Sequence, residues 1–382
     1  MEELVCPVCG NKDQATLRKV NNVIVCRKCI RYQRAALMYE EISSEINVSD
    51  YQLDFPLSDK QKEVANKVVH ALQNGQDVLL LAVCGAGKTE MMMDAIAYTL
   101  NNNGKVGFLI PRRQVVLEVA ARLQHNFTHA KVVPVCQGYQ QQLDGDIIVA
   151  TTHQAVRYPN YFDLLILDEP DAFPYKDNKV LEAIVTKCKR KNMIYSTATP
   201  SKQLLAMVQR NELIKIELNS RYTNKPMIVP VNIICFKPIL WLLLIKDILI
   251  AKRSVLVFVP TIKLAQFLAY GINLFRSCGY VTSKSENKEE VIEAFRNKKF
   301  PVLIATSILE RGVTFKDIDV LILYADHKVF DQAALIQMAG RVGRDIKFYQ
   351  GRCIFYSLSK NSNVIDCIER IMYANESLSV VQ

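Results

Sequence analysis

The run Val78-Leu79-Leu80-Leu81-Ala82-Val83-Cys84-Gly85-Ala86-Gly87-Lys88-Thr89-Glu90 decides how the rest of the chain is read. An unbroken apolar stretch ends in a glycine-rich turn and passes into a helical pattern, which is the strand–loop–helix setting that a phosphate-binding loop requires. Gly85, Ala86 and Gly87 let backbone N–H groups close around phosphate, and the following helix N-terminus adds positive potential. Lys88 reaches the β- and γ-phosphates, Thr89 offers a hydroxyl to Mg²⁺, and Glu90 completes the nucleotide-binding set. The strict pattern has glycine six positions before the lysine; Ala82 stands there instead.

Two further motifs lie outward from this loop. Leu164-Leu165-Ile166-Leu167-Asp168-Glu169 is an apolar strand ending in two acids, which sets Asp168 beside the metal and Glu169 beside the attacking water. About eighty residues separate it from the loop, and the two in this order point to NTP binding and hydrolysis. Gln337-Met338-Ala339-Gly340-Arg341-Val342-Gly343-Arg344 carries arginines at i and i+3 of one helical face. Read alone they are a surface pair; beside the other motifs, Arg341 and Arg344 take the arginine-finger role toward a γ-phosphate.

The surrounding sequence reads as two α/β units. From about residue 50, apolar strand-like runs (Val78–Val83, Val106–Ile110, Ile147–Ala150, Leu164–Leu167, Met193–Ser196) alternate with helical patterns at Asp59–Gln73 and Gln114–Gln124. The turn-rich stretch 219–226 breaks the pattern. After it come strands at Val255–Val259, Val302–Ala305, Val320–Leu323 and Cys353–Tyr356, with helices at Ile262–Phe275 and Lys288–Asn297. The expected division is 1–49, 50–222 and 223–382.

Composition agrees with this size. A chain of 382 residues, half hydrophobic and 23% charged, buries ordinary cores and is not disordered. Lys and Arg number 48 against 38 acids, a formal charge of +10 that suits a polyanionic partner. The first residues show no basic start followed by an apolar core, so a location inside the cell is expected. Ile239 to Ile245 is continuously apolar, but Lys246 and Asp247 interrupt it far short of the ~20 residues of a membrane span. It reads as a buried helix.

Eleven cysteines inside a cell argue against a disulfide framework. Cys84, Cys136, Cys188, Cys235, Cys278, Cys353 and Cys367 sit among apolar neighbours and read as small buried hydrophobes. Cys6-Pro7-Val8-Cys9 and Cys26-Arg27-Lys28-Cys29, with 16 residues between them, instead match a four-thiolate zinc pattern, and Val23-Ile24-Val25 suits a short hairpin between the knuckles. Redox knuckles are the competing reading, and no βαβ pattern surrounds them. From Gly10 to Arg34 seven Lys or Arg face one acid, Asp13, which fits either a nucleic-acid contact or a solvated basic face.

The ordered set resembles superfamily 2 helicases and translocases: Gln61, Gly85–Thr89, Ile110-Pro111-Arg112, Thr151-Thr152-His153, Asp168-Glu169-Pro170-Asp171, Ser196-Thr197-Ala198-Thr199-Pro200, Thr306–Thr314 and Gln337–Arg344. The N-terminal cysteines joined to Asp168–Tyr175 look most like the ComFA family of late-competence DNA-uptake ATPases, which usually has Val where Pro170 stands. That resemblance implies two RecA-like doubly wound parallel-sheet domains behind a zinc module, with an ATP site in their cleft. It implies ATP, Mg²⁺ (on Thr89 and Asp168) and Zn²⁺ as cofactors, single-stranded DNA as substrate, and a cytoplasmic motor peripheral to the membrane at most. Implied partners are competence proteins such as ComFC, DprA and the ComEC channel.

Carried onto the residues, the resemblance has Gln61 and Gln337 at the nucleotide and Ser196, Thr197 and Thr199 as coupling residues. Arg112, Thr151, Thr152, Thr261 and Thr306 line the DNA path, contacting phosphates without reading bases. Gln61 also fits an ordinary capping box with Ser58, Thr261 a helix cap, and His153 a satisfied loop histidine. A PriA-like replication-restart helicase, another DNA or RNA helicase, and a non-catalytic zinc-dependent DNA-binding adaptor are the alternatives. In the PriA pattern the zinc cysteines interrupt the second motor domain instead of preceding the first.

Overall fold

The computed structural model describes residues 3–21, 23–33, 50–221, 225–309, 315–344 and 347–379. Arg34, the rest of the N-terminal module to residue 49, the expected junction at 222/223 and residues 310–314 of the Thr306–Thr314 motif lie outside them.

At the N-terminus β1 (Leu17–Val20) pairs antiparallel with β2 (Val23–Cys26), Leu17 opposite Cys26, and the one-turn helix α1 (Ile30–Gln33) follows. The expected hairpin is thus formed, with both of its ends tied to the cysteine knuckles.

The chain then runs α2 (Asp59–Gln73), β3 (Val78–Ala82), α3 (Lys88–Met91), α4 (Met93–Asn101), β4 (Val106–Ile110), α5 (Arg113–Asn126), β5 (Val132–Val135) and β6 (Ile147–Thr151). It continues through β7 (Phe162–Asp168), α6 (Lys179–Cys188), β8 (Lys189–Thr197), α7 (Lys202–Gln209) and β9 (Ile214–Leu218). The sheet order is β5-β6-β4-β7-β8-β3-β9, every neighbour parallel. Strands β3, β4 and β6 are buried from end to end, as apolar strands covered by helices on both faces must be. Helix α2 starts where Ser58 and Gln61 close a reciprocal capping box.

The second sheet is built from β10 (Val231–Ile234), α8 (Lys237–Ile250), β11 (Ser254–Phe258), α9 (Ile262–Ile272), β12 (Cys278–Val281), α10 (Lys288–Arg296) and β13 (Val302–Ala305). Then come β14 (Ile318–Leu323), α11 (Gln332–Ala339), β15 (Cys353–Ser357) and α12 (Ser362–Ser379). Its order is β10-β15-β14-β11-β13-β12, again parallel throughout. The polypeptide separates into two compact units, Met1–Ala82 with Gly87–Leu218, and Val83–Ala86 with Asn219–Gln382.

Two expectations are corrected here, for helix α8 and for two of the cysteines. Helix α8 is not buried: Leu240, Leu244 and Ile248 reach the core, whereas Leu242 is 69% exposed and Ile239 is also open. A helix laid on one sheet face buries one stripe at four-residue spacing, and its remaining apolar residues meet solvent. Of the scattered cysteines, Cys84, Cys136, Cys188, Cys353 and Cys367 are buried, and Cys235 and Cys278 are partly exposed. No helix among the described residues is long and apolar enough to cross a membrane.

Candidate nucleotide and zinc sites

Strands β3, β8 and β7 are neighbours, and three of the motifs leave the sheet at their C-terminal ends. In an open parallel sheet that edge is where ligands bind. The loop after β3 turns through Gly85 (φ +81°) and Gly87 (φ +76°), left-handed conformations that favour glycine. A Cβ at Gly87 would come within 2.6 Å of Gln61 Nε2 and 3.4 Å of a Glu90 carboxylate oxygen. Gln61 closes the capping box that the sequence offered, its Oε1 accepting from the Ser58 N–H at 2.9 Å, and its amide nitrogen lies against the loop. Glu90 also pairs with Arg122 at 3.2 Å.

Asp168 ends β7, and the next residue breaks the strand sharply. Glu169 has φ +56°, a sparsely populated region for any residue with a Cβ, and its N–H donates to Ser196 O at 2.8 Å. Ser196 Oγ donates to Asp168 Oδ1 at 2.8 Å. Packing around Asp168 and the adjacent Glu169 push its carboxyl up to about 6; Lys88 and the Ser196 hydroxyl oppose this, and Asp171 adds to it. A lysine facing crowded carboxylates is a donor set suited to a divalent cation and phosphate.

Asp171, quoted in the motif but given no role by the sequence, is the hub of this corner. Thr197 Oγ1 donates to its Oδ1 at 2.6 Å and Thr199 Oγ1 to its Oδ2 at 2.7 Å, while the Thr199 N–H donates to Thr197 Oγ1 at 2.9 Å. The three coupling candidates Ser196, Thr197 and Thr199 are thereby tied to the acidic end of β7.

In the second unit α11 ends at Ala339, so Arg341 and Arg344 lie in the turn after it and not on one helical face; Gln337 and Arg341 are buried, Arg341 with 1% of its surface exposed, and Arg344 donates Nε–H to Gly340 O at 2.7 Å. Sequence reading missed Arg221, which lies in the turn-rich stretch taken as a boundary. It is buried, and its guanidinium donates to Val342 O and Gly343 O at 2.8 Å and to Gly340 O at 3.1 Å, bracing the turn between the two candidate arginines. Nothing in that stretch distinguishes Arg221 from a solvated loop arginine until these carbonyls are placed.

Within each unit the nucleic-acid candidates leave neighbouring strand ends: Arg112 and Thr151–Thr152 stand at the ends of β4 and β6, where Ile110 pairs with Thr151, and Thr261 and Thr306 follow β11 and β13, where Phe258 pairs with Ala305. Arg112 precedes α5 as its partly exposed N-cap, and Thr151 ends β6 nearly buried. Thr152 is 0% exposed, and its hydroxyl makes no hydrogen bond among the described residues. Thr261 is exposed and caps α9 by accepting from the Leu264 N–H at 3.2 Å. Thr306 follows β13, partly exposed, its N–H donating to Val281 O at 3.3 Å. His153 packs its ring 5.8 Å from that of Tyr32, and burial together with Arg31 holds it below the ordinary histidine range, hence neutral at pH 7.

Cys6, Cys9, Cys26 and Cys29 are all buried and bring their Sγ atoms within 4.8 Å of one another. The Cys6–Cys29 and Cys9–Cys26 separations are 3.5 and 3.8 Å. Thiolates ~2.3 Å from one tetrahedral ion stand roughly 3.8 Å apart, so donor chemistry and spacing both fit a closed structural zinc. The cysteines, Leu17 and Tyr32 also belong to one apolar cluster with Ala155, Val156, Leu181 and Ile184 of the first unit.

With this geometry in hand, comparison with known proteins decides the family. Residues 54–202 match the family described as type III restriction enzyme, res subunit, and residues 242–345 the helicase conserved C-terminal domain. The chain is 30% identical over 410 residues to the competence protein ComFA of Bacillus subtilis (strain 168), covering 99% of this chain and 87% of that protein. It is 32% identical over 407 residues to ComFA of Streptococcus pneumoniae (strain ATCC BAA-255 / R6), covering 94% and 92%. The chain belongs to the ComFA family.

Within the ComFA family and with both helicase-type matches, it is an ATPase of the superfamily 2 helicase class. Solved structures share the fold. S. cerevisiae Dbp5 bound to RNA and ADP BeF3 gives a TM-score of 0.60 at 16% identity, over 83% of this chain and 91% of that one. Mycobacterium smegmatis helicase Lhr bound to ssDNA and AMP-PNP gives 0.61 at 16%, over 84% and 50%. Two RecA-like parallel-sheet domains with an N-terminal cysteine cluster are thus the architecture of this ComFA-family chain.

Proposed function

We propose that the chain is an ATP-driven single-stranded-DNA translocase that assists DNA uptake in natural transformation. The observation that carries this reading is the bonded corner Asp168–Ser196 and Asp171–Thr197–Thr199, because it fastens Asp168 and the neighbouring Asp171 to the adjoining strand end through short charge-assisted hydrogen bonds. A change at the phosphate is then passed to that strand end mechanically, which a protein that only binds nucleotide does not need.

The roles follow from chemistry at each position. Lys88 and the N–H groups of Gly85–Thr89 cradle the phosphates, Gln61 and Gln337 serve nucleotide binding, and Glu169 orients and deprotonates the attacking water. Thr89 and Asp168 would hold Mg²⁺, which when bound neutralises charge on the phosphate oxygens. Arg341 and Arg344 stabilise the γ-phosphate as it leaves. Arg112, Thr151, Thr152, Thr261 and Thr306 hold the DNA backbone without base preference. The working divisions remain 1–49, 50–222 and 223–382, with one Zn²⁺ on Cys6, Cys9, Cys26 and Cys29.

Both ComFA relatives are named competence proteins, which supports the competence setting. The partners in this reading are ComFC, DprA and the ComEC channel, met in the cytoplasm at the inner face of the membrane. The test is displacement of streptavidin from the end of a biotinylated single strand. ATP-dependent displacement, lost with a non-hydrolysable analogue, is expected. Tight DNA binding with no displacement from either end would leave the zinc-dependent adaptor instead.

A further inference from the structure

The N-terminal module is docked on the segment that carries Thr152 and His153. Helix α1 packs against the short 3-10 helix Thr152–Arg157, the ring of Tyr32 meets that of His153 at 5.8 Å, and Lys187 donates to Pro7 O at 2.6 Å from the neighbouring helix α6. Because the cysteines and Tyr32 share one apolar cluster with Ala155 and Val156, the seam is part of the first unit's core. The metal site therefore fixes where this module's charges stand relative to Thr151–His153.

Lys28 pairs with Asp13 at 3.1 Å, but Arg18, Lys19, Arg27 and Arg31 are exposed and make no ion pair among the described residues. Arg31 lies over the Tyr32 ring, 4.7 Å from its centroid, and that ring meets His153 in a tilted contact at 35°. At the same seam the Tyr32 hydroxyl and Thr152 Oγ1 are buried without a hydrogen-bond partner among the described residues. Buried hydroxyls are rarely left so, and a polar ligand reaching the seam would satisfy them.

We propose that the zinc module is part of the nucleic-acid path: Arg31 binds a backbone phosphate of the single strand beyond the Thr151 and Thr152 contacts, and Tyr32 is the positioning residue that sets it there. This rests on the translocase reading above. It gives the basic face a ligand class, single-stranded nucleic-acid phosphate, and gives the zinc a reason to sit in the motor's core.

The experiment is anisotropy titration of a labelled single-stranded oligonucleotide with the full-length zinc-loaded protein across a salt series. One phosphate contact contributes about 0.7 to the slope of log affinity against log salt, so Arg31→Ala should flatten the slope by about 0.7 and lower affinity about fivefold in 0.1 M salt. Zinc content and DNA-free ATPase activity should be unchanged, since the side chain is exposed. Arg31→Lys should restore the slope, and Tyr32→Ala should reproduce the loss with the zinc retained. If the unmodified protein binds and Arg31→Ala leaves both affinity and slope intact, the inference is overturned while the motor reading stands. If the unmodified protein binds no single strand, both fall.

Discussion

Thr197 donates its hydroxyl to Asp171 Oδ1 across 2.6 Å, joining the end of β8 to the acidic end of β7. Both groups are buried, so neither finds water if the other is removed. Thr197→Val should lower the unfolding free energy of the first unit by about 2 kcal/mol, the range for a lost hydrogen bond to a charged group. DNA-stimulated turnover should fall further than DNA-free turnover. Denaturant unfolding beside steady-state ATPase assays checks both; an equal fall in the two rates would make the pair purely structural.

Lys88→Ala should abolish hydrolysis by removing the cation from the phosphates. Glu169→Gln should keep nucleotide affinity and lose turnover by about 10² or more, because the amide no longer accepts the water's proton. Equilibrium nucleotide binding beside single-turnover rates separates the two, and Glu169→Gln running near the unmodified rate would refute the role given to Glu169.

Arg344→Ala should leave nucleotide affinity nearly intact and depress the DNA-stimulated rate, as expected of a group that acts only in the transition state. Its side chain also holds Gly340 O, so thermal unfolding of the variant is measured in parallel. Equal losses of affinity and rate would assign Arg344 to ground-state binding.

Cys26→Ser should lower bound zinc from near one equivalent to near zero and unfold the module, since binding energy at such a site is largely folding energy. DNA-free ATPase activity should persist, because β3, which carries the loop, is held between β8 and β9. Metal analysis and amide exchange read this directly, and zinc unchanged by Cys26→Ser would contradict the assignment.

How much was legible follows from which signals are local. The apolar runs at Val106–Ile110 and Val302–Ala305 and the capped helix Asp59–Gln73 match the structure to the residue, because burial on both sheet faces and a capping box are written in consecutive residues. The zinc thiols are legible for the same reason. Edge strands β5 and β10 carry few fully buried residues and gave no such run. Arg221 and Tyr32 could not be found at all: one acts on carbonyls about 120 residues away, the other on a histidine about as far along the chain, and neither spacing leaves a mark in sequence. Helix α8 misled because its apolar run records composition, while burial depends on which stripe faces the sheet.

The most direct measurement is steady-state ATP hydrolysis as single-stranded DNA is titrated in, with equal lengths of RNA and of duplex DNA alongside and the series repeated at rising salt. The account predicts a saturable rise in rate with single-stranded DNA of any base composition, weakening steeply with salt. A rate unchanged by single-stranded DNA at every concentration and salt would contradict it.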